Sequence, residues 1–446
     1  MVGDLGVGFC ISRTRPIEYI FNPEQYCELS MFWCGQMKLT GSCFTKFHLC
    51  QDFLSEHIYT GWTQFKIPPS HFQMATEVKA FCHCGINTFR VRFDQNLIPF
   101  SSELCHCNTC RHVTGEMAFY YVPIQGRPLV GSLGDTLVEE RDLKGYRVSP
   151  DVVRYFCHQC SAKMFLCKNE TDWYVSGGVL ERTEGIVKLG CHVHVAETKD
   201  GGIADQLPTV DGVDLPRYSA QEGSEGLPMG WRSNSLKSKQ ESKRMDRLNA
   251  YCQCGAIKIY ITRPTKLSSE PTAPYPHVIF PVYNRLSTIH NIKDEKWWLA
   301  DYDHEIATKY LASHCVCIHC RRESGFDIQS WVFASRANVF EAGSGKPINL
   351  SGDGIGCRPK RLEQYLASPG RYTEFCGDCG ATVFWWQAER PDVIDISVGL
   401  LDQDQDGVRA EEWLKWHTER VGFADDTKVG QSTIKGLVCG MARFNG

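Results

Sequence analysis

Seven cysteines at fixed spacings occur twice in the chain, and this array narrows the possible folds more than any other feature. The first copy reads Cys82-x-Cys84, then Cys105-x-Cys107-x-x-Cys110, then Cys157-x-x-Cys160. The second reads Cys252-x-Cys254, then Cys315-x-Cys317-x-x-Cys320, then Cys376-x-x-Cys379. Other residues repeat with them. Gly85 and Gly255 follow the first pair, Arg111 and Arg321 follow the triplet, and Gly115 and Gly325 stand further along. Phe165 and Phe384 come after the last pair. Repetition of so many positions in order indicates an internal duplication, and close CxC and CxxC pairs are the spacing by which thiolates converge on one metal ion.

The rest of the composition bounds how this array is used. The chain has 446 residues and 23 cysteines. Disulfide frameworks belong mostly to short secreted chains, so thiolates in a reducing compartment are expected: the cytoplasm, with the nucleus as the alternative. The N-terminus lacks a basic leader followed by an apolar core, so no secretory signal is expected. Nor does any stretch reach the 18 or so apolar residues of a membrane span. With 48 basic and 52 acidic residues and a formal charge of -4, no broad basic field favours nucleic acid.

Patterning along the chain predicts five parts. Residues 1–77 form an extension of uncertain order that carries Cys10, Cys27, Cys34, Cys43 and Cys50. Residues 78–200 and 248–425 contain short alternating runs such as VKAFCHCGINTFRVRF and RLNAYCQCGAIKIYI, which read as strands ending in cysteine turns. The Gly, Ser, Pro and charge-rich stretch 201–247 reads as a linker, and 426–446 as a C-terminal tail. The run AEEWLKWHTERVGF predicts an amphipathic helix with Trp413, Leu414 and Trp416 on its apolar face. Asp402–Gly407 mimics the opening of a calcium loop, but Trp413 stands where the bidentate Glu belongs, so a solvated acidic turn is expected.

Seven thiolates exceed what one tetrahedral zinc accepts. One partition gives each triplet an ion of its own and the flanking pairs a closed four-cysteine site. The three-thiolate centre would then keep a coordination position for water, a hydroxyl or a substrate sulfur. The other partition places all seven cysteines in one or two closed sites that use a histidine; His83, His106, His112 and His158 lie in the first copy's clusters, and His314 and His319 beside the second triplet. His106 and His319 would cap the triplets or face solvent. A redox role for the CxxC pairs is disfavoured, because neither precedes a convincing helix in an alternating βα pattern.

The segments FCHCG, CHCNTCRHVTG and YFCHQCSAKMF, with YCQCG, CVCIHCRRESG and EFCGDCGATVF in the second copy, resemble the glutathione-dependent formaldehyde-activating family, whose fold class is shared with centromere protein V. The resemblance implies a mainly β protein: two tandem zinc-binding β-tent domains with peripheral helices. It implies structural zinc on Cys82, Cys84, Cys157 and Cys160, and on Cys252, Cys254, Cys376 and Cys379. Catalytic zinc falls on Cys105, Cys107 and Cys110, and on Cys315, Cys317 and Cys320, so up to two Zn2+ per domain. The implied activity is that of a carbon–sulfur lyase on a small-molecule thiol adduct, with glutathione as the candidate thiol. Arg111 and Arg321, each next to a triplet ligand, are candidates for holding carboxylates. His112 and Glu323 are candidates for moving a proton. The competing reading is a structural or interaction protein in which zinc only stabilises small β-rich units.

Overall fold

The computed structural model describes residues 75–130, 143–236, 245–280, 291–352 and 356–444. The expected extension, with its five cysteines, lies outside them except for its last three residues. Residues 71–446 form one compact unit, and the structure is predominantly β-sheet in two similar copies. Among the described residues no helix is long and apolar enough to cross a membrane.

Each copy opens on an antiparallel hairpin: Ala75–Phe81 with Thr88–Asp94 in the first, Arg247–Tyr251 with Lys258–Thr262 in the second. Alternation makes these strands, because Phe89, Val91 and Phe93 all point into the core while the residues between them do not. The first CxC lies in the turn of each hairpin. A longer antiparallel array follows. It runs Tyr121–Pro123, Asp172–Ser176, Lys163–Lys168, Val152–Phe156 and Lys144–Ser149 in the first copy. In the second it is an eight-stranded sheet that includes Ile306–Cys315, Gln329–Ser335, Val393–Ser397, Thr382–Gln387 and Arg371–Cys376. The strand leading into each triplet, Phe100–Cys105 or Ile306–Cys315, takes a parallel partner from late in its copy: Val187–Val193 or Leu414–Trp416.

Helix α1 (Asn108–Thr114) and helix α2 (Ile318–Ser324) each start after the second cysteine of a triplet, contain the third, and end at Gly115 and Gly325, both in the left-handed region. These helix ends form part of the contact between the copies. Gly178 N–H donates to Gly325 O at 2.8 Å, and Gly399 N–H donates to Gly115 O at 3.1 Å. A Cβ on Gly178 would stand 2.2 Å from Gly325 C, and one on Gly399 2.4 Å from Gly115 C. Only glycine permits so close a backbone approach. Lys163 and Thr382, each three residues past its CxxC, meet in a hydrogen bond between the copies. The contact is therefore reciprocal, as at a two-fold interface.

Four expectations need correction. First, residues 201–236 of the expected linker are folded: Ile203, Ala204, Leu207, Val210, Leu215 and Leu236 are buried, and Thr209–Val210 pairs with Val213–Asp214. Buried polar contacts stand in for a hydrophobic run, since the Asp200 carboxylate accepts from Gly202 and Arg409 N–H and Arg409 pairs with Asp205 at 2.8 Å. Second, the tail contains a helix. Gln431–Arg443 buries Ile434, Leu437 and Met441, spaced at helical intervals, and contacts Thr209–Val210. Third, the helix expected at AEEWLKWHTERVGF is absent. Leu414–Trp416 is a strand, and Trp413 and Trp416 are buried on either side of Leu414 because this strand lies beside the one that carries Cys315. The acidic turn is also only partly solvated. Helix α3 (Gln403–Asp406) buries Gln403 and Asp406, and burial pushes the Asp406 carboxyl up to about 7.

Candidate metal centres

Four cysteine clusters assemble, and their membership is the ligand-counting partition. Cys82, Cys84, Cys157 and Cys160 converge, as do Cys252, Cys254, Cys376 and Cys379, with every sulfur in a cluster within 4.8 Å of the others. Each pairs a hairpin turn with a CxxC turn from the large sheet. Cys82 and Cys84 sulfurs lie 3.4 Å apart, Cys84 and Cys157 3.7 Å, Cys252 and Cys254 3.4 Å, and Cys254 and Cys376 3.5 Å. A tetrahedral zinc with bonds of about 2.3 Å sets its sulfurs roughly 3.8 Å apart, so the residues present fit that ion. Backbone N–H groups of Asn87 and Ile257 point at Cys82 and Cys252 sulfurs at 3.4 and 3.3 Å, which suits thiolates rather than thiols.

The triplets form two further clusters, Cys105–Cys107–Cys110 and Cys315–Cys317–Cys320. The first cysteine ends a strand, the second caps a helix, and the third sits in the helix's first turn. Cys107 Sγ accepts from Cys110 N–H and Cys317 Sγ from Cys320 N–H. Hydrogen bonds from the other two thiols draw Cys110 and Cys317 well below the ordinary thiol range, while Cys105 and Cys320 are driven up. Such proton sharing among packed sulfurs is what a thiolate-binding cation replaces. Among the described residues no histidine joins any of the four clusters. The His106 ring turns onto His192, Nε2 to Nδ1 2.9 Å, and burial pushes its pKa well down. His314 contacts Ser330 and Gln206.

The surroundings of the triplets differ. Beside the first, buried Arg154 donates from Nη2 to Cys110 Sγ at 3.0 Å and stacks over Tyr121. Burial acts to lower the guanidinium pKa, but Cys110, Tyr121 and Cys107 together outweigh it and hold the pKa above its usual value. The second opens on a cavity of about 110 Å³ lined by Cys315, Cys317 and Cys320 together with Glu323, Trp331 and Arg371. Glu323 accepts from the Thr373 hydroxyl at 2.8 Å. Its other oxygen lies 2.7 Å from Nδ1 of His83, which belongs to the first copy. His319 lines the same cavity, and its ring centroid is 4.6 Å from that of His83.

Two segments, residues 77–195 and 301–416, match the model of the glutathione-dependent formaldehyde-activating enzyme family. Together they cover just over half of the chain. The chain belongs to this family. It carries the family's domain as two tandem copies. No curated protein matches it.

For this tandem family member, the structure separates the four non-cysteine candidates. Arg111 is buried and bonds to Gly399 O, Asn108 Oδ1 and Gln403 Oε1. Arg321 is buried and bonds to Asp327 Oδ1, Leu180 O and Gly177 O. Both arginines thus tie one copy to the other instead of presenting a cation to a ligand, which corrects their assignment as carboxylate-binding groups. His112 stacks on Tyr251 and contacts Tyr251 O at 2.7 Å and Gln403 Oε1 at 3.3 Å. Burial lowers its pKa to about 4, and its ring is committed to the second copy rather than to its own triplet. Glu323 lines the same cavity as the cysteines of its triplet. The sequence reading missed Arg154, Arg371 and the link from His83 to Glu323. Arg154 and Arg371 lie in strands far from any cysteine triplet, so spacing carried no signal for them.

Proposed function

We propose that the protein is a zinc-dependent carbon–sulfur lyase acting on a thiol adduct, with glutathione as the candidate thiol. The observation that carries this reading is the second triplet: three converging sulfurs facing a cavity that also holds a carboxylate. Family membership supports chemistry of this type, and the β-tent architecture is proposed with it. Zinc bound there would act as a Lewis acid, taking the substrate sulfur and stabilising it as a thiolate.

The chain's own residues account for the remaining steps. Trp331 and Trp385 give the cavity apolar walls that limit water around the reacting bond. Arg371 lines the same cavity and is the group for an anionic part of the substrate. Glu323, held by Thr373, is the base for the hydroxyl proton of a thiohemiacetal. As that proton leaves, the C–O bond becomes a carbonyl and the C–S electrons depart with sulfur, releasing aldehyde and thiol. Reversal makes the adduct. A reducing compartment, the cytoplasm first, is proposed because the free thiolates need one.

The test is a panel of S-hydroxymethyl and related thiol adducts offered to zinc-loaded and metal-stripped protein. Faster cleavage or exchange by the loaded form on at least one adduct is expected. Equal rates across the panel would leave zinc a stabilising role only.

A further inference from the structure

The two copies are not equivalent in what surrounds their triplets, and the duplication allows a residue-by-residue comparison. The register of the cysteines places Glu323 opposite Val113, His319 opposite Thr109, Thr373 opposite Arg154, and His83 opposite Gln253. The second triplet therefore has a carboxylate three residues past its last cysteine where the first has an apolar side chain. The hydroxyl that holds this carboxylate is Thr373; the first copy has at that place the guanidinium that donates to Cys110. The imidazole on the carboxylate's other oxygen comes from the first copy's CxC turn. In the reverse direction the second copy's CxC turn offers only Gln253, whose backbone N–H donates to His112 O at 2.9 Å. His112, the first copy's own candidate, is occupied by Tyr251 and Gln403.

We infer that turnover belongs to the second triplet alone, and that its site is composite, completed by His83 of the first copy acting as a positioning residue for Glu323. This rests on the lyase reading above and assigns the reaction to one of its two triplets. At the first triplet Arg154 donates to Cys110, and the carboxylate at the head of its helix, Glu197, is taken up by Asn108 N–H and His194. The Thr373 hydroxyl donates to one oxygen of the Glu323 carboxylate and His83 Nδ1 lies 2.7 Å from the other, so the two side chains bracket the base from either side. The role of His83 is geometric, and its removal is expected to act on the chemical step more than on thiol binding.

The experiment uses the full chain with Co2+ in place of zinc, because cobalt–thiolate bands report the ligand set directly. 2-Mercaptoethanol is titrated as the probe thiol, and adduct turnover is measured on the zinc form of the same variants. Cys107→Ser and Cys317→Ser should each lose one metal per chain. Turnover should survive the first and vanish in the second. His83→Gln, the residue its counterpart position carries, should retain the full metal count and bind the probe within about twofold of wild type. Its kcat should fall by about 10- to 100-fold. Glu323→Gln should behave in the same way, with the larger loss. Turnover lost in Cys107→Ser and kept in Cys317→Ser would overturn the assignment. So would wild-type kcat in His83→Gln, which also guards against a Cys317 variant that fails to fold. If the wild type neither cleaves any adduct nor shows a thiol-dependent cobalt band, the lyase reading itself falls, an outcome distinct from activity at the wrong triplet.

Discussion

Arg111 and Arg321 show how one residue type next to a metal ligand takes on a packing task. Each side chain is fully buried and spends its N–H groups on acceptors that include the other copy's backbone. Burying a guanidinium costs several kcal/mol unless its donors are met, and Asp327 meets Arg321 at 2.9 Å. Removing the cation would leave Asp327 a buried carboxylate with, among the described residues, Tyr120 as its remaining side-chain hydrogen-bond donor. Arg321→Met is therefore expected to destabilise the fold by about 3–5 kcal/mol, read from the denaturant midpoint. A shift under about 1 kcal/mol, together with lost substrate affinity, would instead return Arg321 to a ligand-binding role.

At the scale of elements, the helix Gln431–Arg443 is seated on the segment expected to be a linker, and two glycines set how closely. A Cβ on Gly440 would fall 2.0 Å from Gln206 O, and one on Gly436 2.2 Å from Thr209 O. Gly440→Val should lift the helix from its seat and cost about 1–3 kcal/mol or more. Val438→Ala, on the exposed side, should stay within about 0.5 kcal/mol. Equal thermal shifts for the two would mean that the helix contributes little to the fold. These elements also mark where sequence reasoning ran out. The cysteine clusters and hairpins were legible because ligand spacing and period-two alternation are local signals. The 201–236 segment was not, because it is ordered by Asp200, Asp205 and Arg409 contacts that span some 200 positions. Trp413 and Trp416 misled for a related reason, since their spacing suited a helix while parallel pairing with Ile306–Cys315 made the segment a strand. The pairing of His83 with Glu323 was invisible because it crosses between the copies.

On the scale of the whole molecule, each four-cysteine cluster leans on the other copy's triplet helix. The Cys82–Cys84 turn sends His83 to Glu323 on α2, and the Cys252–Cys254 turn hydrogen bonds to His112 on α1. The ions that stabilise one copy would thus also shape the other's centre, because metal binding free energy is partly folding free energy. Cys157→Ser removes a ligand from the first copy's closed cluster and leaves the second triplet's own ligands intact. Loss of that cluster frees the turn that carries His83, so turnover at the second triplet should drop by at least about 10-fold. Stability should fall by more than about 4 kcal/mol, the range of a lost structural metal. Cys107→Ser, in the first triplet, should remove a metal as well and yet leave turnover near wild type. Metal content, thermal unfolding and adduct cleavage measured on one preparation of each variant separate these effects. The cleavage assay belongs well below the lower unfolding midpoint, so that global unfolding does not imitate the coupling. Wild-type turnover by a folded Cys157→Ser protein that has lost its metal would show that the two copies work independently despite their shared interface.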